Sequence, residues 1–194
     1  MTEIIYKLPT TLQIECLKYL ITPNERILLI GIKGVGKKSF INSFTNKTLQ
    51  YTTIYKDINN TIEFVRLNDR VNLAVLSELW GVSLETQLLQ IINQLPTRVI
   101  LMGSVISAIS LKKIYQIYIP LFLALSYSKF GKNGIKIDII LTHTDHPNYT
   151  WKQLELRTLK RKIIEFKMNP LCMISTKTGD GLNKRTFEFL SNEF

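Results

Sequence analysis

Gly31-Ile32-Lys33-Gly34-Val35-Gly36-Lys37 is a run whose residue types could hold a phosphate. Glycines let the backbone wrap closely around an anion with its amides turned inward, and a lysine at the end of the run can reach the outer phosphates. The run follows an apolar segment and opens a helical one, so a helix N-terminus would face the same anion. The expected phosphate contacts are Gly31, Gly34, Val35, Gly36, Lys37, Lys38 and Ser39. One position departs from the pattern. A hydroxyl that binds Mg²⁺ belongs directly after the lysine, and Lys38 stands there instead. An ammonium cannot ligate a metal. Ser39 comes one residue late, about 100° around the helix. Either Mg²⁺ binds poorly, or Lys38 neutralises phosphate charge in its place.

Two later segments also end an apolar run in a polar loop. The first is Ile139-Ile140-Leu141-Thr142-His143-Thr144-Asp145, and the second is Ile174-Ser175-Thr176-Lys177-Thr178-Gly179-Asp180-Gly181-Leu182. In this order behind a phosphate loop, they resemble the base-reading motifs of G domains in the Ras-like superclass of P-loop GTPases. Thr142-His143-Thr144-Asp145 is similar to the Asn/Thr-Lys-x-Asp motif, with Thr first and His in the Lys place. Ser175, Thr176 and Lys177 match the Ser-Ala-Lys loop. The resemblance covers residues 26–190. It implies that Asp145 accepts hydrogen bonds from the guanine N–H and amino groups, a pair of donors that adenine does not offer. It also implies that His143 stacks on the base, with Thr142, Ser175, Thr176 and Lys177 completing the guanine site. GTP or GDP is the implied ligand.

The same resemblance sets expectations for hydrolysis. Ser77-Glu78-Leu79-Trp80-Gly81 matches the Asp-x-x-Gly segment, with Gly81 at the γ-phosphate and Glu78 where a metal-holding Asp is expected. Glu is one methylene longer, which weakens Mg²⁺ handling further. Val82-Ser83-Leu84 offers no Gln to orient water, and Glu85 and Gln87 are out of register. Thr52, Thr53 and Thr61 are the candidates for the switch threonine. Thr-His-x-Asp, Trp80-Gly81, a helix closing on Leu95-Pro96 and a helix ahead of the phosphate loop look like the interferon-induced protein 44 family. With no large N-terminal extension, the chain would be that family's G domain alone.

The elements that must position these residues follow from periodicity. Residues 10–21, 37–46, 83–95, 151–167 and 182–190 read as helices, and a further one could lie over 109–117. In the 151–167 helix, Trp151, Leu154, Leu159, Ile163 and Phe166 are expected inside, with Lys152, Arg157, Lys160, Arg161 and Lys162 outside. Residues 26–30, 61–67, 71–76, 119–125, 137–141 and 171–174 read as strands, with 61–67 and 71–76 as an edge hairpin. Residues 97–116 are the hardest to read, as one helix or a partner-facing loop. The expected fold is α/β, a doubly wound, mostly parallel sheet of about six strands with one antiparallel edge hairpin, flanked by helices. It would be a P-loop NTPase G domain, a single domain over 1–194 with an N-terminal helix and lead-in at 1–25.

Composition bounds the partners. The chain has 194 residues with 25 Lys plus Arg against 15 Asp plus Glu, a formal charge of +10. That surface suits anions: nucleotide phosphates, acidic proteins, a membrane surface or nucleic acid. The basic helix 152–167 is interrupted by Glu155 and Glu165, which reads as a solvated face. Cys16 and Cys172 lie far apart, so neither a disulfide framework nor a zinc site is expected. Residues 1–11 have no continuous apolar core, so no signal peptide is expected, and the default location is cytoplasmic. The leading reading is a guanine-nucleotide-binding switch or scaffold with weak or absent hydrolysis, meeting a protein partner through residues 50–60 and 81–116. The alternatives are an active GTPase completed by a partner, and a pseudo-GTPase interaction module with an empty pocket. Lys33, Lys37 and Lys38 place cations at the phosphate region and favour an occupied site.

Overall fold

Four apolar residues in succession cannot all show one face to water, so Ile27, Leu28, Leu29 and Ile30 must be covered on both sides. The computed structural model describes residues 25–44, 52–56, 62–66, 71–78, 96–129, 135–147 and 154–182. In it these four residues are fully buried at the centre of β1 (Glu25–Ile32). The other elements are α1 (Lys37–Phe44), β2 (Thr52–Lys56), β3 (Ile62–Arg66), β4 (Val71–Glu78), β5 (Arg98–Ser104), α2 (Ala108–Lys113), a π-helical stretch (Ile114–Tyr118), α3 (Ile119–Lys129), β6 (Lys136–Thr142), α4 (Leu154–Glu165) and β7 (Cys172–Met173). The helices expected over 10–21 and 83–95 lie outside the described residues, as does 183–190 of the last one.

The strands form one sheet in the order β2-β3-β4-β1-β5-β6-β7. β2 and β3, and β3 and β4, pair antiparallel, and every pair from β4 to β7 is parallel. The hairpin expected from residues 61–67 and 71–76 is β3 and β4, but β2 lies outside it at the sheet edge. Side chains of β1 alternate between two cores, as a period of two demands. Ile27 and Leu29 meet Phe40 and Ile41 of α1 on one face. Leu28 and Ile30 join Leu111, Ile114, Tyr118, Phe122, Leu156 and Leu159 on the other.

The region 97–125 corrects the sequence reading. Residues 98–104 are a central strand, buried at every position from Val99 to Ser104. Residues 119–125, expected as a strand, lie in helix α3. A short apolar run does not distinguish strand from buried helix. Here Leu111, Ile114, Tyr118 and Phe122 recur at helical spacing and are all buried. Pro120 lies inside a run that is helical without a break from Ala108 to Lys129, and the π-helical stretch directly before it is a place where a helix accommodates a missing N–H. The helix expected over 109–117 is divided between α2 and the π-helical stretch. Among the described residues the sheet therefore has seven strands rather than about six.

Helix α4 is turned differently from expectation. Leu159 and Ile163 are buried with Leu156, whereas Leu154 is 71% exposed and Phe166, beyond the helix end, is also exposed. Leu154 precedes Leu156 by two residues, about 200° around the helix, so the two cannot share a face. Arg157, Lys160 and Arg161 point outward as expected, while Lys162 is half-buried. Trp151 and Lys152 lie outside the described residues. Among the described residues, no helix is long and apolar enough to cross a membrane.

Candidate functional site

Ligands of open α/β sheets bind beyond the carboxyl ends of the strands, where the strand order reverses. β1 is that place here: β4 flanks it on one side and β5 on the other. The loop between β1 and α1 carries the phosphate motif. Gly34 and Gly36 both have φ +88°, a conformation that glycine adopts without strain. A Cβ on Gly31 would lie 2.5 Å from the Met102 carbonyl oxygen and 2.9 Å from Val35 Cγ2, so only glycine lets β5 come this close. Val35 is buried in the core. Any contact it makes with phosphate is through its backbone. Lys37 is only 6% exposed. Its ammonium donates to the carbonyl oxygens of Gly31 at 2.5 Å and Ile32 at 2.9 Å, which tucks the cation beneath its own loop. Lys38 and Ser39 are both exposed on the first turn of α1.

β6 delivers the second motif. Thr142 is fully buried at its end, and its hydroxyl lies 2.8 Å from the Val35 carbonyl oxygen and 3.1 Å from that of Gly103. One side chain thus fastens the phosphate loop to the strand end 107 residues later. His143 follows with φ 62°, a left-handed backbone that a side-chain-bearing residue adopts at a cost of about 1 kcal/mol or more. Its Nδ1 is 3.0 Å from Thr142 Oγ1 and 2.8 Å from Ser104 Oγ.

β7 supplies the third. Ser175 is fully buried and donates its hydroxyl proton to Asp145 Oδ1 at 2.7 Å. Ser175 Oγ in turn accepts the backbone N–H of Thr178 at 3.1 Å and of Lys177 at 3.3 Å. Gly179 and Gly181 turn the chain with φ 85° and 74°, and a Cβ on Gly181 would fall 2.1 Å from the Met173 carbonyl oxygen. The Ser175 hydroxyl, with smaller help from the charges of Lys177 and His143, holds the exposed Asp145 carboxyl below its ordinary value. Asp145 is therefore an ionised, acceptor-only group that faces solvent, suited to a ligand with adjacent N–H donors. Thr176 is half-buried beside it and Lys177 is exposed.

The structure brings Gly31, Gly34, Val35, Gly36, Lys37, Thr142, His143, Asp145 and Ser175 to one end of the sheet. Gly81 and Thr61 lie outside the described residues. Glu78 closes β4 level with Ile32, so its backbone stands beside the start of the phosphate loop. Thr52 and Thr53 are a correction. Thr52 pairs with Arg66, Arg66 with Asn72, and Asn72 with Arg26, so both threonines are near the opposite end of the sheet. At about 3.3 Å per residue and 4.8 Å per strand, they stand roughly 20 Å from Gly31. Neither can close over a phosphate there. Of the partner surface expected at 81–116, residues 81–95 lie outside the described residues; among the described ones 99–104 are buried, and Ile106 and the 63%-exposed Ile109 are large apolar side chains that face water.

Lys38, whose ammonium cannot ligate a metal, stands directly after Lys37, and among the described residues no three His, Cys, Asp or Glu side chains cluster. The sequence reading missed Ser104, which is 3% exposed at the end of β5 and touches His143. It also missed Ser110, buried beneath, whose hydroxyl accepts from Ser104 N at 2.9 Å and lies 2.8 Å from the Ser107 carbonyl oxygen. A polar residue closing an apolar strand is the signal that would have found Ser104. Compared with protein-family models and with curated proteins, the chain matches none.

Proposed function

We propose that this chain is a P-loop G domain of the Ras-like type that binds a guanine nucleotide and hydrolyses GTP slowly or not at all. The observation that supports it is the joining of three separated motifs by side-chain hydrogen bonds. Thr142 ties the base-side loop to the phosphate loop, and Ser175 ties Asp145 to the last loop. A nucleotide laid across them would meet Lys37 and the loop amides with its phosphates, and Asp145 with its base. Lys37 would leave the carbonyls of Gly31 and Ile32 for the phosphate oxygens. Lys38 would supply at the phosphates part of the positive charge that Mg²⁺ supplies elsewhere. Phosphoryl transfer depends on positioned metal and water, so binding without efficient turnover is the expected behaviour.

On this reading the protein works in the cytoplasm as a switch or scaffold. Its partner surface would combine the edge strand β2 with the exposed start of α2 around Ile106 and Ile109. The basic face of α4 is solvated, and Lys162 there pairs with Glu165 at 2.8 Å. Titration with fluorescent GDP and GTP analogues, with and without Mg²⁺ and against an ATP analogue, tests the proposal. Guanine-selective binding that is indifferent to Mg²⁺ is expected. Strong Mg²⁺ dependence would favour a GTPase completed by a partner. Binding of neither nucleotide would overturn the proposal and leave an interaction module.

A further inference from the structure

Ser104 is buried, and among the described residues His143 Nδ1 is the one acceptor that its hydroxyl meets. Thr142, the other hydroxyl at Nδ1, has a single proton and two carbonyl oxygens, Val35 and Gly103, to receive it. The hydroxyl proton free to meet the imidazole is therefore that of Ser104. If Nδ1 carried the ring proton instead, the Ser104 hydroxyl proton would be buried with no acceptor among the described residues, an arrangement that folded proteins avoid. Nδ1 is accordingly the acceptor, and the ring proton sits on Nε2, the nitrogen turned away from this contact. The two tautomers differ in which edge of the ring donates.

We propose that Ser104 is a positioning residue for the base. Its hydroxyl fixes the tautomer and plane of His143, so the imidazole is already a set platform, with an outward N–H donor, when a purine nucleotide arrives. This deepens the guanine-site reading and rests on it. The left-handed backbone at His143 supports it independently, since strain of that kind persists where surrounding contacts over-determine a side chain's placement. Ser104 is itself fastened: its N–H donates to Ser110 Oγ at 2.9 Å, and Ser110 Oγ lies 3.2 Å from the Ser104 carbonyl oxygen. Those contacts are to its backbone, so Ser104→Ala removes only the hydroxyl.

A binding site that loses such preorganisation loses affinity without losing contacts. Ser104→Ala should weaken binding of a fluorescent GDP analogue ~5-fold while leaving the thermal midpoint nearly unchanged. In a His143→Ala background the same substitution should have no effect, because the hydroxyl acts only through the ring. Nitrogen-15 NMR of the nucleotide-free protein, at a pH where the imidazole is neutral, gives the second readout. His143 should show the Nε2–H pattern in the wild type and a mixture of tautomers in Ser104→Ala. Equal GDP affinity of wild type and Ser104→Ala, or an equal Ser104→Ala effect with and without His143, overturns the proposal while the guanine reading stands. A wild type that binds no GDP overturns that reading and this proposal together, whatever the tautomer.

Discussion

The two ends of the sheet handle polar groups in opposite ways. At the end where β5 and β6 begin, Arg98 and Asp138 pair at 2.9 Å, and Asn169 donates to the same carboxylate at 2.9 Å. Charge meets charge there, within the fold. At the other end Lys37 is cradled by carbonyl dipoles of its own loop, and Asp145 faces solvent on a hydroxyl tether. Hydroxyls from Thr142, Ser104 and Ser175 fasten the loops at this end. The first arrangement is finished by folding alone. The second, on the proposed reading, presents a cation and an anion to a nucleotide's phosphates and base.

Substitutions at the two ends should therefore separate stability from binding. The largest effect belongs to Gly181→Ala. Its Cβ would meet the Met173 carbonyl oxygen at a backbone with φ 74°, so urea denaturation should show a loss of about 3 kcal/mol or more. Gly34→Ala makes the control, because φ is +88° there but nothing lies within 4 Å; it should lose only about 1 kcal/mol. Next comes Lys37→Ala, which should weaken GDP binding about 100-fold, read by fluorescence titration. Asp138→Asn should behave in reverse, costing about 1.5 kcal/mol of stability with GDP affinity unchanged. A change in affinity there would erase the distinction between the ends.

The smallest effect concerns Asp145. Its depressed pKa gives stability that is present above the ordinary value of 3.8 and lost as pH falls through the lower folded-state value. Ser175→Ala should move the Asp145 titration, followed by carbon-13 NMR, upward towards 3.8 and shrink that acid-side loss. An unmoved titration would mean that the Ser175 hydroxyl is not what holds this carboxylate.

Much of the site was legible because its residues punctuate apolar runs. Gly31, Thr142 and Ser175 each mark the place where a buried strand gives way to polar sequence, and the fold gathers such places at one sheet end. Residues 97–125 were not legible, since β5 and α3 are both apolar runs and composition does not tell them apart. Ser104 was lost with β5, because its meaning depends on knowing that a strand ends there. Thr52 and Thr53 were misplaced for a different reason. Sequence distance from the phosphate loop says nothing about register, and the pairing of β2 with β3 carries them to the far end. Leu154 was misread because it was grouped with Leu159 and Ile163 on the inner face, whereas Leu156, which the reading left out, takes that place.

The Thr142 hydroxyl bears on time as well as on position. It holds the Val35 carbonyl oxygen while its own backbone leads into His143, so the glycine-rich loop after β1 and the loop after β6 share one fastening. A nucleotide bridging both would find it hard to let go of either end first. Release would require both loops to slacken together, so the lifetime of the complex would depend on that single side chain more than the rate of its formation would.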